Sequence, residues 1–261
     1  MRGARFRRVL VRRPNLRIPF PEAFAERLKG RTVRALTRRG KFLLAALSSG
    51  ETLIVHLGMS GSFAVDSTTA QHAAPGEAAH DHVVFTMSSG ATVTFNDPRR
   101  FGLMDIAARG GLENYPALKA MGREPLSPEF DAGSLARACH GKRVSLKVAL
   151  LDQRVVAGLG NIYASEALHR AHLSPRRRAS TIATAAGAPR ASAHLLAAAI
   201  KAVLSDAVER TLTASSRSSR SSRFRVYDRA GERCTGKGCA GTIRRIVQAG
   251  RSTYFCRVCQ R

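Results

Sequence analysis

Four of the five cysteines fall in the last stretch of the chain, and their spacing constrains the fold more than any other feature. Cys234 and Cys239 are separated by four residues, Cys256 and Cys259 by two, and sixteen residues lie between the pairs. Two close pairs joined by such a span can set four thiolates around one tetrahedral Zn²⁺. Two disulfides or four unrelated thiols are the alternatives. A reducing cytoplasm disfavours the first and the clustering disfavours the second. Thr242–Val247 and Ser252–Phe255 read as two strands of a hairpin, with Gly238, Gly241 and Gly250 at its turns. The segment 224–261 is therefore expected to be a zinc-ribbon hairpin holding one structural Zn²⁺ through Cys234, Cys239, Cys256 and Cys259. Cys139 stands apart in a helical stretch and reads as a small buried residue.

Charge comes next. The 261 residues carry 43 Lys and Arg against 18 Asp and Glu, a formal net charge of +25. A folded chain this basic repels itself, so a polyanionic partner is the natural explanation, although a GC-rich genome that inflates Arg accounts for part of the excess. Nucleic acid leads. A membrane surface fits less well, because no basic amphipathic helix with a bulky apolar face is apparent. No stretch reads as the ~20 apolar residues that a bilayer span needs. The opening residues, Met1 to Arg8, are basic but lack an apolar core and a cleavage site, so a cytoplasmic location is expected.

The first third reads as strands. Phe42–Leu47, the turn Ser48-Ser49-Gly50 and Thr52–Leu57 make one hairpin; Val83–Met87, Ser88-Ser89-Gly90 and Thr92–Phe95 make another. Repeated short strands suggest a sandwich. Ser67 to Ala79 reads as a mobile loop. Helical patterning follows Pro125–Pro128, with candidates at Ser134–Leu151, at Asn161–His169, and from Leu195, where apolar pairs recur every four residues. Thr213–Arg223, TASSRSSRSSR, is low-complexity, polar and basic, and is expected to be disordered. The fold class is thus α+β. The expected domains are a β-sandwich over 1–122, a helical domain over 123–212, the Ser/Arg segment 213–223 and the ribbon 224–261.

Three further segments stand with the ribbon: His56-Leu57-Gly58-Met59-Ser60-Gly61, Asp97-Pro98-Arg99-Arg100-Phe101-Gly102, and Gly158-Leu159-Gly160-Asn161-Ile162-Tyr163-Ala164-Ser165-Glu166. In this order the four resemble the bacterial formamidopyrimidine-DNA glycosylases, with the endonuclease VIII group as the nearest alternative. The resemblance runs from about Phe6 to Arg261. It implies an N-terminal β-sandwich, a helix–two-turns–helix domain and a zinc hairpin, with double-stranded DNA crossing the cleft. It also implies a monomer that excises oxidised purines such as 8-oxoguanine and formamidopyrimidines, then cleaves the abasic strand.

Each motif has a physical rationale. An enzyme that works on a base in duplex DNA must turn it out and fill the gap. By the resemblance Met59, Arg99 and Phe101 do the filling: Met and Phe replace lost stacking, and Arg donates to the orphaned base. Read without it, Met59 and Phe101 are core residues. Asn161, at a helix start behind Gly158 and Gly160, can help hold a phosphate or serve as an ordinary cap. The resemblance also places Lys41, His80, Lys142 and Arg251 at DNA phosphates, with Lys41 and Arg251 carried as catalytic.

The family's Pro-Glu-Leu-Pro-Glu start supplies a Pro secondary amine that attacks C1′ of the damaged nucleotide. An α-amine with a pKa of ~8 keeps a useful neutral fraction for this. The present residues carry no such run, and Arg5–Arg13 matches the family's second strand. The expectation is a chain lacking its first strand, first helix and nucleophile, or a start assigned too late. The Ser/Arg segment stands where the family has a longer, Gly-containing loop, and the first cysteine pair is wider than the family's usual two-residue spacing. Three readings follow: a glycosylase and abasic-site lyase, a catalytically inactive damaged-DNA-binding relative, and an unrelated zinc-ribbon RNA binder.

Overall fold

The computed structural model describes residues 1–67, 79–213 and 224–261. The loop read over Ser67–Ala79 and the Ser/Arg segment Thr213–Arg223 lie outside them, apart from Ser67, Ala79 and Thr213. The described residues form two compact units, Met1–Lys119 and Ala120–Arg261.

The first unit is built from β1 (Phe6–Val11), α1 (Phe24–Leu28), β2 (Val33–Arg39), β3 (Phe42–Leu47), β4 (Thr52–His56), β5 (Ser62–Asp66), β6 (Asp81–Met87), β7 (Thr92–Asn96), β8 (Leu103–Ala107) and α2 (Pro116–Lys119). The strands form two four-stranded sheets, ordered β1-β6-β7-β5 and β2-β3-β4-β8. Every pairing between them is antiparallel, and β3–β4 and β6–β7 are the two hairpins read from the turn signals. Strand alternation decides the layers. Leu53 and Val55 of β4 turn into the main core with Phe6, Phe85, Phe95 and Met104. Ile54, between them, turns to the opposite face, where it meets Leu44 and Ala107 under Leu112, Tyr115 and Leu118. Burial of each such side chain contributes about 1.5–3 kcal/mol. Neither Met59 nor Phe101 joins this core: they are 73% and 49% exposed.

The second unit holds α3 (Ala132–Cys139), α4 (Leu146–Leu151), α5 (Asn161–Arg170), α6 (Ala191–Thr213), β9 (Ile243–Gln248) and β10 (Arg251–Cys256). The helix read over Ser134–Leu151 is two helices. α3 starts on a capping box between Asp131 and Ser134, and it ends before Gly141, whose φ of 69° leaves the helical region. The backbone then pairs outward, Ala179 N–H with Val144 C=O and, at the first residue of α4, Leu146 N–H with Arg177 C=O. α3, α4, α5 and α6 share one core that includes Leu135, Leu150, Leu168 and Ile200. The expectation that no stretch could span a bilayer needs correcting. α6 has 23 residues and contains an 18-residue window of mean hydropathy 1.4, long and apolar enough by composition. Its buried face, with Ala193, Leu196, Ile200 and Val203, is nevertheless spent on this core. β9 and β10 form the antiparallel hairpin read from the sequence, in register from Ile243–Cys256 to Gln248–Arg251.

Candidate functional site

Two loops of the first unit, Leu57–Gly61 and Asp97–Gly102, are held together by one buried carboxylate. Asp97 has no solvent exposure. Its Oδ1 accepts from Ser60 Oγ at 2.5 Å and its Oδ2 from Gly102 N–H at 2.7 Å. Its carbonyl lies 2.9 Å from His82 Nε2, and its N–H donates to the His80 carbonyl at 3.0 Å. Ser60 Oγ also accepts from Arg99 N–H at 3.3 Å. Hydrogen bonds to a buried ion are worth roughly twice a neutral pair, so this carboxylate fixes both loops. Gly58 completes the contact. Its φ is +68°, and a Cβ there would stand 2.4 Å from the Phe101 carbonyl carbon. The locked loops present Met59 and Phe101 to solvent, with the Arg99 guanidinium 5.4 Å from the Phe101 ring centroid.

His56 joins Lys41 to this assembly. Gly58 N–H donates to His56 Nδ1 at 2.9 Å, which puts the neutral ring's proton on Nε2. Burial holds the His56 pKa below the ordinary range, and the charges of Lys41 and Arg17 push the same way. Lys41 itself is exposed at the start of β3, beside Phe42, whose ring packs 4.9 Å from that of His56. His80 is exposed and reaches the assembly through its backbone. The structure thus gathers Met59, Arg99 and Phe101 in one place, with Lys41 beside them through His56.

In the second unit the start of α5 meets β10. Gly160, not Asn161, is the cap residue, and no side chain caps the helix. The Asn161 side chain instead donates from Nδ2 to the Ser252 carbonyl at 2.9 Å. Its Oδ1 accepts from Lys147 Nζ at 2.5 Å. Lys147 is fully buried and also donates to the Ser252 carbonyl and to Thr253 Oγ1, at 2.9 and 2.7 Å. Burial lowers its pKa to about 8, helped by the positive charge of Arg251. Asn161, Lys147 and exposed Arg251 are therefore one cluster at a helix N-terminus, where backbone N–H groups and the dipole favour an anion. Lys142 is half-buried and stands elsewhere, close enough to Asp152 and Cys139 for its charge to favour the ionised form of each.

The cysteine sulfurs of Cys234, Cys239, Cys256 and Cys259 all lie within 4.8 Å of one another. Cys234 and Cys259 Sγ are 3.7 Å apart, and Cys239 and Cys256 Sγ 3.6 Å, far beyond the ~2.05 Å of a disulfide. The donor set is four soft thiols converging on one point, which suits a metal ion. The wider first knuckle closes on the same point as the second. Cys139 is buried and its pKa is raised to about 11 by that burial, in keeping with an inert packing residue.

Residues 1–104 match the formamidopyrimidine-DNA glycosylase N-terminal domain, and residues 121–219 match the formamidopyrimidine-DNA glycosylase H2TH domain. The chain is 54% identical to the formamidopyrimidine-DNA glycosylase of Rhodopseudomonas palustris strain HaA2, over 100% of this chain and 94% of the relative. This chain belongs to the formamidopyrimidine-DNA glycosylase family. Solved structures of the Lactococcus lactis Fpg from that family superimpose on it along its whole length. One, a complex with abasic-site-containing DNA, has a TM-score of 0.84 at 28% identity and is covered over 94% of its length. Another, a point mutant with Fapy-dG-containing DNA, has a TM-score of 0.83 at 28% identity and is covered over 93%.

Three organisers in this member of the formamidopyrimidine-DNA glycosylase family were not singled out from the sequence. Asp97 stands first in one of the quoted motifs, but its partner Ser60 lies 37 residues away. Lys147 had a visible signal, a lone cation inside the apolar run Leu146–Leu151. Glu166 closes a third motif; its carboxylate accepts the backbone N–H groups of Arg225, Val226 and Tyr227, each at 2.9 Å, and so seats the chain that leads into the ribbon.

Proposed function

We propose that this protein is a base-excision-repair DNA glycosylase that acts on oxidised purines, 8-oxoguanine and formamidopyrimidines, and cleaves the resulting abasic strand. Family membership supports the glycosylase activity, and the relatives solved with abasic-site and Fapy-dG DNA support damaged duplex DNA as the partner. The observation that carries the reading is the exposure of Met59 and Phe101 on loops pinned by a fully buried Asp97. Large apolar side chains held out on a rigid base forgo the stabilisation of burial until something covers them. A nucleotide stack opened by base eversion is such a cover. Arg99, over the Phe101 ring, would donate to the base left without a partner.

The remaining residues divide the work by charge. Asn161, with the N-terminus of α5, and His80 and Lys142 would hold backbone phosphates. Lys41 and Arg251 would act at the damaged nucleotide, Lys41 from beside neutral His56 and Arg251 from beside Lys147. The metal is assigned as one structural Zn²⁺. A tetrahedron with bonds of ~2.3 Å has sulfur–sulfur edges of about 3.8 Å. The paired sulfurs stand at 3.7 and 3.6 Å. Zn²⁺ there would fix the hairpin that displays Arg244, Arg245 and Arg251. We place the protein in the bacterial cytoplasm, on DNA, as a monomer, with domains following the four segments read from the sequence.

The Pro-Glu-Leu-Pro-Glu nucleophile of the family is not among these 261 residues. The residues named above would serve grip, eversion and phosphate contact. The deciding experiment incubates the protein with duplexes carrying 8-oxoguanine or an abasic site and adds borohydride. A trapped covalent adduct with strand scission supports the glycosylase and lyase. Tight binding to the abasic duplex without trapping supports the inactive damaged-DNA-binding relative. Equal affinity for abasic duplex and structured RNA would overturn both.

A further inference from the structure

His169 carries an inference about the metal centre. It lies in the last turn of α5 and is 2% exposed. Its Nε2 is 3.3 Å from Cys234 Sγ, while its Nδ1 is buried with no hydrogen-bond partner. A neutral imidazole carries one proton, and these surroundings decide where. A metal-bound sulfur is a thiolate and can only accept. Nδ1 is left without a partner in either tautomer, but a proton on Nδ1 would also set the Nε2 lone pair against the sulfur, whereas a proton on Nε2 makes a hydrogen bond to it. The proton therefore belongs on Nε2.

We propose that His169 is a positioning residue of the metal centre, donating Nε2–H to the Cys234 thiolate so that the wide first knuckle holds its metal and stays fixed to α5. The proposal rests on the metal-site reading above. Two further observations support it. Four thiolates on a divalent cation leave a net charge of −2, which N–H donors offset. Gly236 N–H reaches Cys234 Sγ at 3.3 Å and Gly241 N–H reaches Cys239 Sγ at 3.4 Å, so His169 adds a second donor to Cys234. α5 is also already the helix to which the ribbon is tied, by Asn161 to Ser252 and by Glu166 to residues 225–227. His169 adds a tie at the metal itself. The chemistry calls for a side-chain N–H donor, not for a fifth ligand.

The test uses the full chain and reads metal directly. His169→Phe keeps a ring and removes the donor; His169→Gln keeps a donor. In competition with a chromogenic chelator, His169→Phe is expected to hold Zn²⁺ about 10–100-fold more weakly than the parent, and His169→Gln to recover most of the loss. The unmutated protein loaded with ¹¹³Cd gives a readout that does not depend on a variant folding. Its histidine ring spectrum should show a proton on Nε2, none on Nδ1, and a coupling from that proton to the metal through the sulfur. Metal retention by His169→Phe within twofold of the parent, or a ring proton on Nδ1, overturns this proposal and leaves the four-cysteine site standing. Failure of the parent to bind Zn²⁺ or Cd²⁺ at all overturns the metal site as well.

Discussion

Replacing Lys147 with Met tests whether a buried cation, rather than the helix N-terminus alone, sets the Asn161 and Arg251 cluster. Met keeps the straight stem in α4 and deletes the ammonium. Asn161 Oδ1 and Thr253 Oγ1 lose their donor, while the Ser252 carbonyl keeps the Asn161 amide. Thr253 Oγ1 is buried and Asn161 half-buried, so leaving both acceptors under-satisfied costs at most about 2–6 kcal/mol. Against this stands the cost of burying the charge. A folded pKa near 8 against an ordinary 10.5 amounts to about 3 kcal/mol at neutral pH. The net effect at pH 7 is therefore modest, from about 1 kcal/mol of gain to about 3 kcal/mol of loss, and the pH dependence carries the diagnosis. Between pH 8 and 10.5 the unfolded chain keeps a proton that the folded chain has released. Parent stability relative to Lys147→Met should thus rise through that window and stay flat below it. Urea unfolding of both proteins at pH 7, 8.5 and 10 measures this. A stability difference that does not change between pH 7 and 10, or one that shrinks as pH rises, would refute the assignment of a buried cation to Lys147.

Asp97→Asn should cost about 1–3 kcal/mol in denaturant unfolding, because an amide must turn its NH₂ toward either Ser60 Oγ or Gly102 N–H, and it should weaken binding to abasic duplex. Gly58→Ala should weaken that binding at least tenfold while leaving metal content unchanged. Its Cβ falls 2.4 Å from Phe101 backbone, in a conformation that L residues rarely adopt, so the Met59 loop must shift. Removing metal with a strong chelator should abolish amide protection over Arg251–Cys256 in hydrogen exchange and lower DNA affinity, whereas the β-sandwich strands stay protected. Binding should also fall steeply with salt, the logarithmic slope approaching −0.9 for each phosphate neutralised; a slope shallower than about −3 would contradict the phosphate-gripping reading.

Much of this was legible in local sequence. The hairpins at Phe42–His56 and Asp81–Asn96 follow from a turn signal between two apolar runs, an interaction that closes over a few residues. The ribbon follows from thiol spacing, and the amphipathic α6 from a four-residue recurrence. Where local signals ran out, the reading erred. Ser134–Leu151 looked helical throughout because its composition is helical, yet the backbone of its middle pairs with Arg177 and Ala179. Asn161 looked like a cap because of its place at a helix start, yet its partner Ser252 lies 91 residues on.

The sequence by itself determined which chemistry this chain can offer: a strongly cationic surface, four thiols at metal-binding spacing, and the Met, Arg and Phe of two short motifs. Those properties belong to residue types and short separations. Only the tertiary structure decided that Met59 and Phe101 face solvent, that Asp97 anchors their loops, and that Lys147 and His169 are buried against the ribbon. Each of those outcomes depends on hydrogen bonds between residues 37 to 106 positions apart. Partners that distant become neighbours only when two sheets and four helices have closed on their cores, and a buried polar group acquires its role from whichever partner that closure delivers.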